Sequence, residues 1–302
     1  RIPNTGVFIF NKRPENKVAI LSGGGSGHEP ADVGFLGKGM LDVCVMGKIF
    51  TPPTGKEVYE GIKQADQGYG VLVIIKNFEE DIRTFTKGID LARQAGHRVE
   101  SVLVNDDCSV EDLSFKKRRR GVAGTILVQK ILGSASLNEQ NIDKLKEMGD
   151  ALVSSLNTLG VAFEAGTLPN SQQPMFELPK GFVSYGVGIH GEKGYREEAF
   201  HGTEVLAIEI WNKLKSQSNL QKKDQVAVLV NGLGGTAHLE LDLFSQNILD
   251  LIQLDEINCN YIKVGNYMTS LDMKGVSVST LPLKEKIWLS HLESETDAPA
   301  WI

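Results

Sequence analysis

The stretch Leu21–Met40 reads LSGGGSGHEPADVGFLGKGM: an apolar run passes into four glycines and then into His28, Glu29 and Pro30. A second glycine-bracketed histidine, His190 in GIHGEKG, follows another apolar stretch, and Lys76, Asn77 and Asp81 follow the run Val71–Ile75. In open α/β sheets, ligand sites form beyond the carboxyl ends of the strands, so these three loops are candidates to converge. Two histidines with a lysine and an aspartate form a set suited to proton transfer and to recognition of a carbonyl or hydroxyl group. Spacing alone leaves the plainer reading open, in which each histidine is an ordinary hydrogen-bonded loop residue.

Other chemistries fit less well. A phosphate-binding P-loop ends in Gly-Lys-Ser/Thr, which the loop around Gly23–Gly27 lacks, and a dinucleotide fingerprint needs glycine where His28 stands. The formal GxGxxG at Gly186–Gly191 is followed by Glu-Lys-Gly-Tyr rather than by a helical pattern. Ser26 matches the GxSxG nucleophile elbow only loosely. His97, His201, His238 and His291 are read as structural, and none of the six histidines has metal-ligand spacing.

Short apolar runs alternate with helical patterns through the first half, the signature of βαβ units. Strands are expected at Val18–Leu21, Leu41–Met46, Val71–Ile75 and Val99–Val104, with helices at Lys56–Ala65 and Asp81–Ala95 and a stop at Gly96. Helical patterns continue over Gly121–Leu132 and Asn141–Leu159, where Asn141 serves as a cap and Gly160 as a terminator. The proline-containing LPNSQQPMFELPK within Thr167–Lys180 reads as a linker. A second α/β pattern follows, with strands at Phe182–Ile189, Val226–Val230, Tyr261–Val264 and Val276–Leu281 and helices at Thr203–Lys215 and His238–Gln253.

The expected fold is therefore two α/β domains, each a sheet flanked by helices: residues 1–155, residues 156–290, and a tail, 291–302, docked on the first. At 302 residues the core is large enough to need no disulfides. Cys44, Cys108 and Cys259 read as reduced thiols of a cytoplasmic protein. A net charge of −6 with mixed signs disfavours direct nucleic-acid contact, and the basic block Lys116–Arg120 reads as a solvated turn or a partner patch. No apolar run is long enough to span a membrane. The chain begins at Arg1 rather than at methionine, which leaves a preceding piece, including a removed targeting segment, open.

SGGGSGHEP, GKGML, IFTPPT, GVLVIIKNFEED, RRGVAGT, YGVGIHGE, LVNGLGGT and NYMTSLDM occur in that order along nearly the whole chain. This series resembles the dihydroxyacetone kinase K-subunit family. The resemblance implies a homodimer with a site for dihydroxyacetone, in which His190 bonds the ketone carbon through an imidazole nitrogen and forms a hemiaminal. It further implies that Gly25 gives the ligand close backbone contact, that His28 hydrogen-bonds a hydroxyl, and that Lys76 and Asp81 complete the pocket, Asp81 as the base. A covalent bond to a ketone separates dihydroxyacetone from glycerol, which lacks the electrophilic carbon.

Phosphoryl transfer also needs a metal-bound nucleotide, and this chain has no phosphate loop or carboxylate cluster to hold one. A kinase reading therefore requires an L subunit carrying ADP and magnesium, while this chain itself carries neither cofactor nor metal. Around the pocket, Pro52 replaces the family's serine, Glu80 a glycine and Asn105 an acid. A carboxylate at Glu80 is expected to repel a nucleotide phosphate next to Asp81. The family also includes co-activators that dock on a TetR-type transcription factor. The expectation is thus a ligand sensor of that kind, with the kinase K subunit as the alternative.

Overall fold

A computed structural model describes residues 1–110, 119–139 and 141–301. The chain forms two compact units. The first comprises Arg1–Asn105, Thr125–Ser154 and Ser290–Ile302, and the second Asp106–Gly124 and Ser155–Leu289. Segment 106–124, expected in the first domain, thus belongs to the second unit.

In the first unit, β1 (Val7–Ile9), β2 (Ala19–Ser26), β3 (Val43–Ile49), β4 (Val71–Lys76) and β5 (Val99–Val104) form a sheet ordered β1-β3-β2-β4-β5. All neighbouring pairs are parallel except β1 with β3. Strand β4 is buried along its whole length, which is why VLVIIK reads as a continuous apolar run. Helices α1 (Gly55–Ala65) and α2 (Glu79–Gln94) pack Val58, Ile62, Phe85, Ile89 and Ala92 onto the strands' Leu21, Val43, Val45, Val71 and Val73.

The start of α1 is a capping box, with Thr54 Oγ1 accepting from Glu57 N and Thr54 N donating to Glu57 Oε2. Three acids, Glu79, Glu80 and Asp81, fill the first turn of α2, where the helix dipole favours negative charge. Gly96 adopts φ +91° just beyond α2, as a helix stop requires. Helices α3 (Thr125–Ala135) and α4 (Ile142–Ser155) complete the unit, and Asn141 Oδ1 accepts from Asp143 N at 2.9 Å to cap α4. The C-terminal residues lie on the same unit: Ala300 N donates to Gly34 O at 3.0 Å, and the Trp301 ring meets Phe35 edge-on.

The second unit holds β6 (Asn157–Glu164), β7 (Phe182–Tyr185), β8 (Arg196–Ala199), β9 (Gln225–Gly232), β10 (Asn258–Gly265) and β11 (Lys274–Pro282), ordered β10-β9-β11-β6-β7-β8. Only β9 and β10 run parallel; the other neighbours are antiparallel. Helices α5 (Thr203–Gln217) and α6 (His238–Leu254) cover the sheet through Leu206, Ile210, Trp211, Leu241, Phe244 and Ile248. A last helix, α7 (Lys286–Glu293), leads into the C-terminal segment.

Several expectations are corrected. The helix drawn over Asn141–Leu159 ends at Ser155, and Gly160 lies inside β6 rather than terminating a helix. Burial of β6 on both faces removes the alternation that marks a strand, so its apolar residues continue the helical pattern before it. The strand expected over Phe182–Ile189 stops at Tyr185, where Gly186 turns the chain at φ +79°. Two short strands escaped sequence reading, β1 and the polar edge strand β8, REEA.

Candidate functional site

In the first unit, the carboxyl ends of β2 and β4 supply the candidate residues. Lys76, the last residue of β4, is 3% exposed and donates to Asp32 Oδ2 at 2.8 Å and to Gly23 O at 2.7 Å. The other oxygen of Asp32 accepts from Gln129 Nε2 at 2.7 Å, and the same nitrogen reaches Ser22 Oγ at 3.1 Å. Burial alone would push the Lys76 ammonium toward neutrality, but the carboxylates of Asp32 and Asp81 outweigh it and hold its pKa above the usual lysine value. The lysine is therefore a fixed, charged hydrogen-bond donor. Cys44 lies in the same field, its thiol pushed well up by burial and by Asp32.

Asp81 is the third residue of α2, on the buried face that also carries Phe85 and Ile89. A side chain on Gly24 would begin 3.1 Å from Asp81 Oδ1 and 3.2 Å from Lys76 Cε. The missing Cβ of Gly24 thus lets its backbone lie close against both. Gly25 faces elsewhere: a Cβ there would lie 2.8 Å from Thr51 N, so its glycine character serves contact with the 50–51 backbone. His28 is buried and stacks on Phe50, ring centroids 5.1 Å apart.

In the second unit, the loop after β7 carries His190. Its Nδ1 lies 3.2 Å from Glu192 Oε1, and its backbone N–H donates to Glu192 Oε2 at 3.0 Å. Glu192 is approached by Arg120 Nη1 at 3.8 Å. Arg120 donates to Asp107 Oδ2 at 2.5 Å, Ser109 Oγ at 3.1 Å and Gly186 O at 2.7 Å. Burial would raise the Glu192 carboxyl, yet the His190 hydrogen bond and charge, together with Arg120, bring it down to about 2.

Lys76 and Asp81 are brought together beside Gly24, Gly25 and His28 both adjoin Phe50, and His190 belongs to a separate cluster in the second unit. Sequence reading missed Gly24, Asp32, Gln129, Arg120 and Glu192. Glu192 carried a local signal, an acid two residues after the histidine, whereas Gln129 lies on a distant helix and had none.

Glu80 faces solvent. Its side chain is 59% exposed and pairs with Arg83 one turn on, while Asp81 turns inward, so its charge is balanced at the surface. Of the basic block, Lys116–Arg118 lie outside the described residues. Arg119 and Arg120 turn inward instead of forming a solvated patch, Arg119 Nη2 donating to Asn157 Oδ1 at 2.7 Å. His97 pairs with Asp66 at 2.7 Å and His291 Nδ1 lies 3.0 Å from Ser134 Oγ, both structural roles. Among the described residues no group of three or more His, Cys, Asp or Glu is disposed to hold a metal ion, and no helix is long and apolar enough to cross a membrane.

Two α/β units, one with a charged, glycine-walled cluster at its strand ends and one with a carboxylate-held histidine, define a protein of the Dak1 class. Residues 2–300 match the Dak1 domain, and the chain belongs to this family. It is 45% identical over 302 residues to the DhaKLM operon coactivator DhaQ of Lactococcus lactis, covering 99% of this chain and 92% of that protein. It is 42% identical over 301 residues to the dihydroxyacetone-binding subunit DhaK of PTS-dependent dihydroxyacetone kinase 1 of Listeria innocua, covering 100% and 92%. A solved structure of the dihydroxyacetone kinase operon co-activator Dha-DhaQ superposes with a TM-score of 0.96 at 44% identity, covering 100% of this chain and 93% of that one.

Proposed function

We propose that this chain binds dihydroxyacetone, captures it as a hemiaminal on His190, and acts as a ligand-sensing co-activator of a TetR-type regulator of a dihydroxyacetone kinase operon. The observation that carries the ligand assignment is the Lys76–Asp81 pair against the bare backbone of Gly24: a fixed cation and a buried carboxylate offer the donor and the acceptor that a small polyhydroxyl compound needs. In this reading Gly25 and His28 contact the ligand, Lys76 donates to a ligand oxygen, and Asp81 accepts from a hydroxyl. A ketone carbon is the feature that His190 tests and that glycerol lacks. Similarity to the Lactococcus lactis coactivator supports the regulatory half. The protein works as a cytoplasmic homodimer, and ligand-dependent shape at the pocket rim sets its affinity for the regulator.

A second reading, the dihydroxyacetone-binding subunit of a phosphotransferase-linked kinase, is favoured by one observation. The surface pairing of Glu80 with Arg83 removes the electrostatic objection to a nucleotide phosphate near Asp81. In that case an L subunit brings ADP and magnesium, and Asp81 acts as base toward the attacking hydroxyl.

The test of capture is 13C NMR of dihydroxyacetone labelled at its ketone carbon. With the wild-type chain, a protein-bound tetrahedral carbon signal is expected, and His190→Ala abolishes it. Retention of that signal in the variant would overturn the role of His190.

A further inference from the structure

His190 sits at the end of a chain of charged groups that the capture reaction, as described so far, does not use. Asp107, 3% exposed at its side chain, accepts from Arg120 Nε; Arg120 is also fastened to Ser109 Oγ and to Gly186 O, and its Nη1 stands 3.8 Å from Glu192 Oε2. Glu192 meets His190 twice, at the ring Nδ1 and at the backbone N–H. The backbone is shaped around this arrangement: a Cβ at Gly188 would fall 1.9 Å from Glu192 Oε2 and 2.4 Å from Arg120 Nη1, so any other residue there would displace both.

We propose that Asp107, Arg120 and Glu192 form a positioning chain that holds His190 in the Nδ1–H tautomer and so places the lone pair on Nε2, the atom that bonds the ketone carbon. This rests on the reading of His190 as the capture residue. An ionised carboxylate only accepts hydrogen bonds, so the contact at Nδ1 requires the proton to be on that nitrogen. Glu192 remains ionised at neutral pH because its hydrogen bond to His190 and the Arg120 charge outweigh its burial and hold the carboxyl below the usual range.

The capture step then balances. A bond forms between Nε2 and the ketone carbon, and the π pair of the C=O bond moves to oxygen. That oxygen takes one proton from solvent, and the ring carries the resulting positive charge beside the Glu192 carboxylate. Departure of the ligand reverses each movement. The same carboxylate thus selects the tautomer before capture and balances the imidazolium after it. Arg120 and Asp107 act through Glu192 and touch no reacting atom.

The experiment reads the ring directly: 15N NMR of the imidazole of His190 in the ligand-free chain, assigned by comparison with His190→Ala, together with ketone-carbon capture of labelled dihydroxyacetone. The wild-type ring is expected as the Nδ1–H tautomer at neutral pH. Glu192→Ala should give a mixture of tautomers and weaken capture by about 10- to 100-fold, the usual worth of a partner that orients a ligating histidine. Glu192→Gln, whose amide oxygen accepts the same hydrogen bond, should restore much of the tautomer preference. Arg120→Gln should move tautomer and capture in the direction of Glu192→Ala but less far, and it serves if Glu192→Ala fails to fold. A wild-type ring in the Nε2–H form, or unchanged tautomer and capture in both Glu192→Ala and Arg120→Gln, would overturn the proposal. An Nδ1–H ring that answers to Glu192, with no tetrahedral carbon signal in the wild type, would sustain the positioning chain and overturn the capture reading instead.

Discussion

Lys76 Nζ and Asp32 Oδ2 stand 2.8 Å apart with side chains only 3% and 2% exposed, a salt bridge placed almost wholly out of water. Both Asp32 oxygens are used, one by Lys76 and one by Gln129, so the carboxylate organises the charged wall of the candidate site. A buried pair contributes little net stability relative to an apolar pair, but removing one partner strands the other charge. Asp32→Ala should therefore destabilise the protein by about 3–5 kcal/mol. Urea denaturation measures this, and a loss below about 1 kcal/mol would show that Lys76 finds other compensation.

The second prediction concerns space. Gly24→Ala adds a methyl that starts 3.1 Å from Asp81 Oδ1, between the two groups assigned to ligand contact. Dihydroxyacetone binding should weaken on the order of 10- to 100-fold, the scale of effect that small misplacements produce at a tightly built site. Isothermal titration checks it, and unchanged affinity would move the ligand away from Gly24.

Asp81 separates the two functional readings. Its role as base belongs to phosphoryl transfer alone, while its hydrogen bond to the ligand belongs to both readings, so Asp81→Ala should weaken binding but keep the labelled tetrahedral carbon signal at saturating dihydroxyacetone. A co-activator carrying this change should still activate transcription from the regulated promoter in a reporter assay. Loss of activation with capture intact would give Asp81 a role in signalling.

Acid stability provides a fourth check. The Glu192 carboxyl lies at about 2 in the folded protein, against an ordinary value of 4.5. Because the folded-state value is lowered, the unfolded chain binds the proton more readily between these limits. The stability contributed by Glu192 is complete above about 4.5 and is lost as pH falls toward about 2. Unfolding free energies of the wild type and Glu192→Gln should therefore converge as pH is lowered through this window. A constant gap would mean that the carboxylate's ionisation is not linked to folding.

Much of this architecture was legible in the residues. Strands β2 to β5, the Asn141 cap and the Gly96 stop follow from apolar runs and cap chemistry, which are local signals. What escaped was long-range: β6 lost its alternation because both faces are covered, and β8 is a polar edge strand. At the site, Lys76 and Asp81 announced themselves as charged residues after a buried strand. Asp32 and Gln129 became visible only when the fold packed α3 against the strand ends. Glu80 shows that adjacency in sequence is not adjacency in space: it neighbours Asp81 in the chain but lies on a different helical face and pairs with Arg83.

The most direct test of the central claim is reconstitution. The protein is mixed with an L subunit of a dihydroxyacetone kinase, its phosphotransfer component, ADP and magnesium, and dihydroxyacetone phosphate formation is followed beside a working K subunit. A sensor should capture the labelled ketone on His190 and yield no product above background. Turnover matching that of the control K subunit would contradict the co-activator assignment and make this chain the substrate-binding subunit of the kinase.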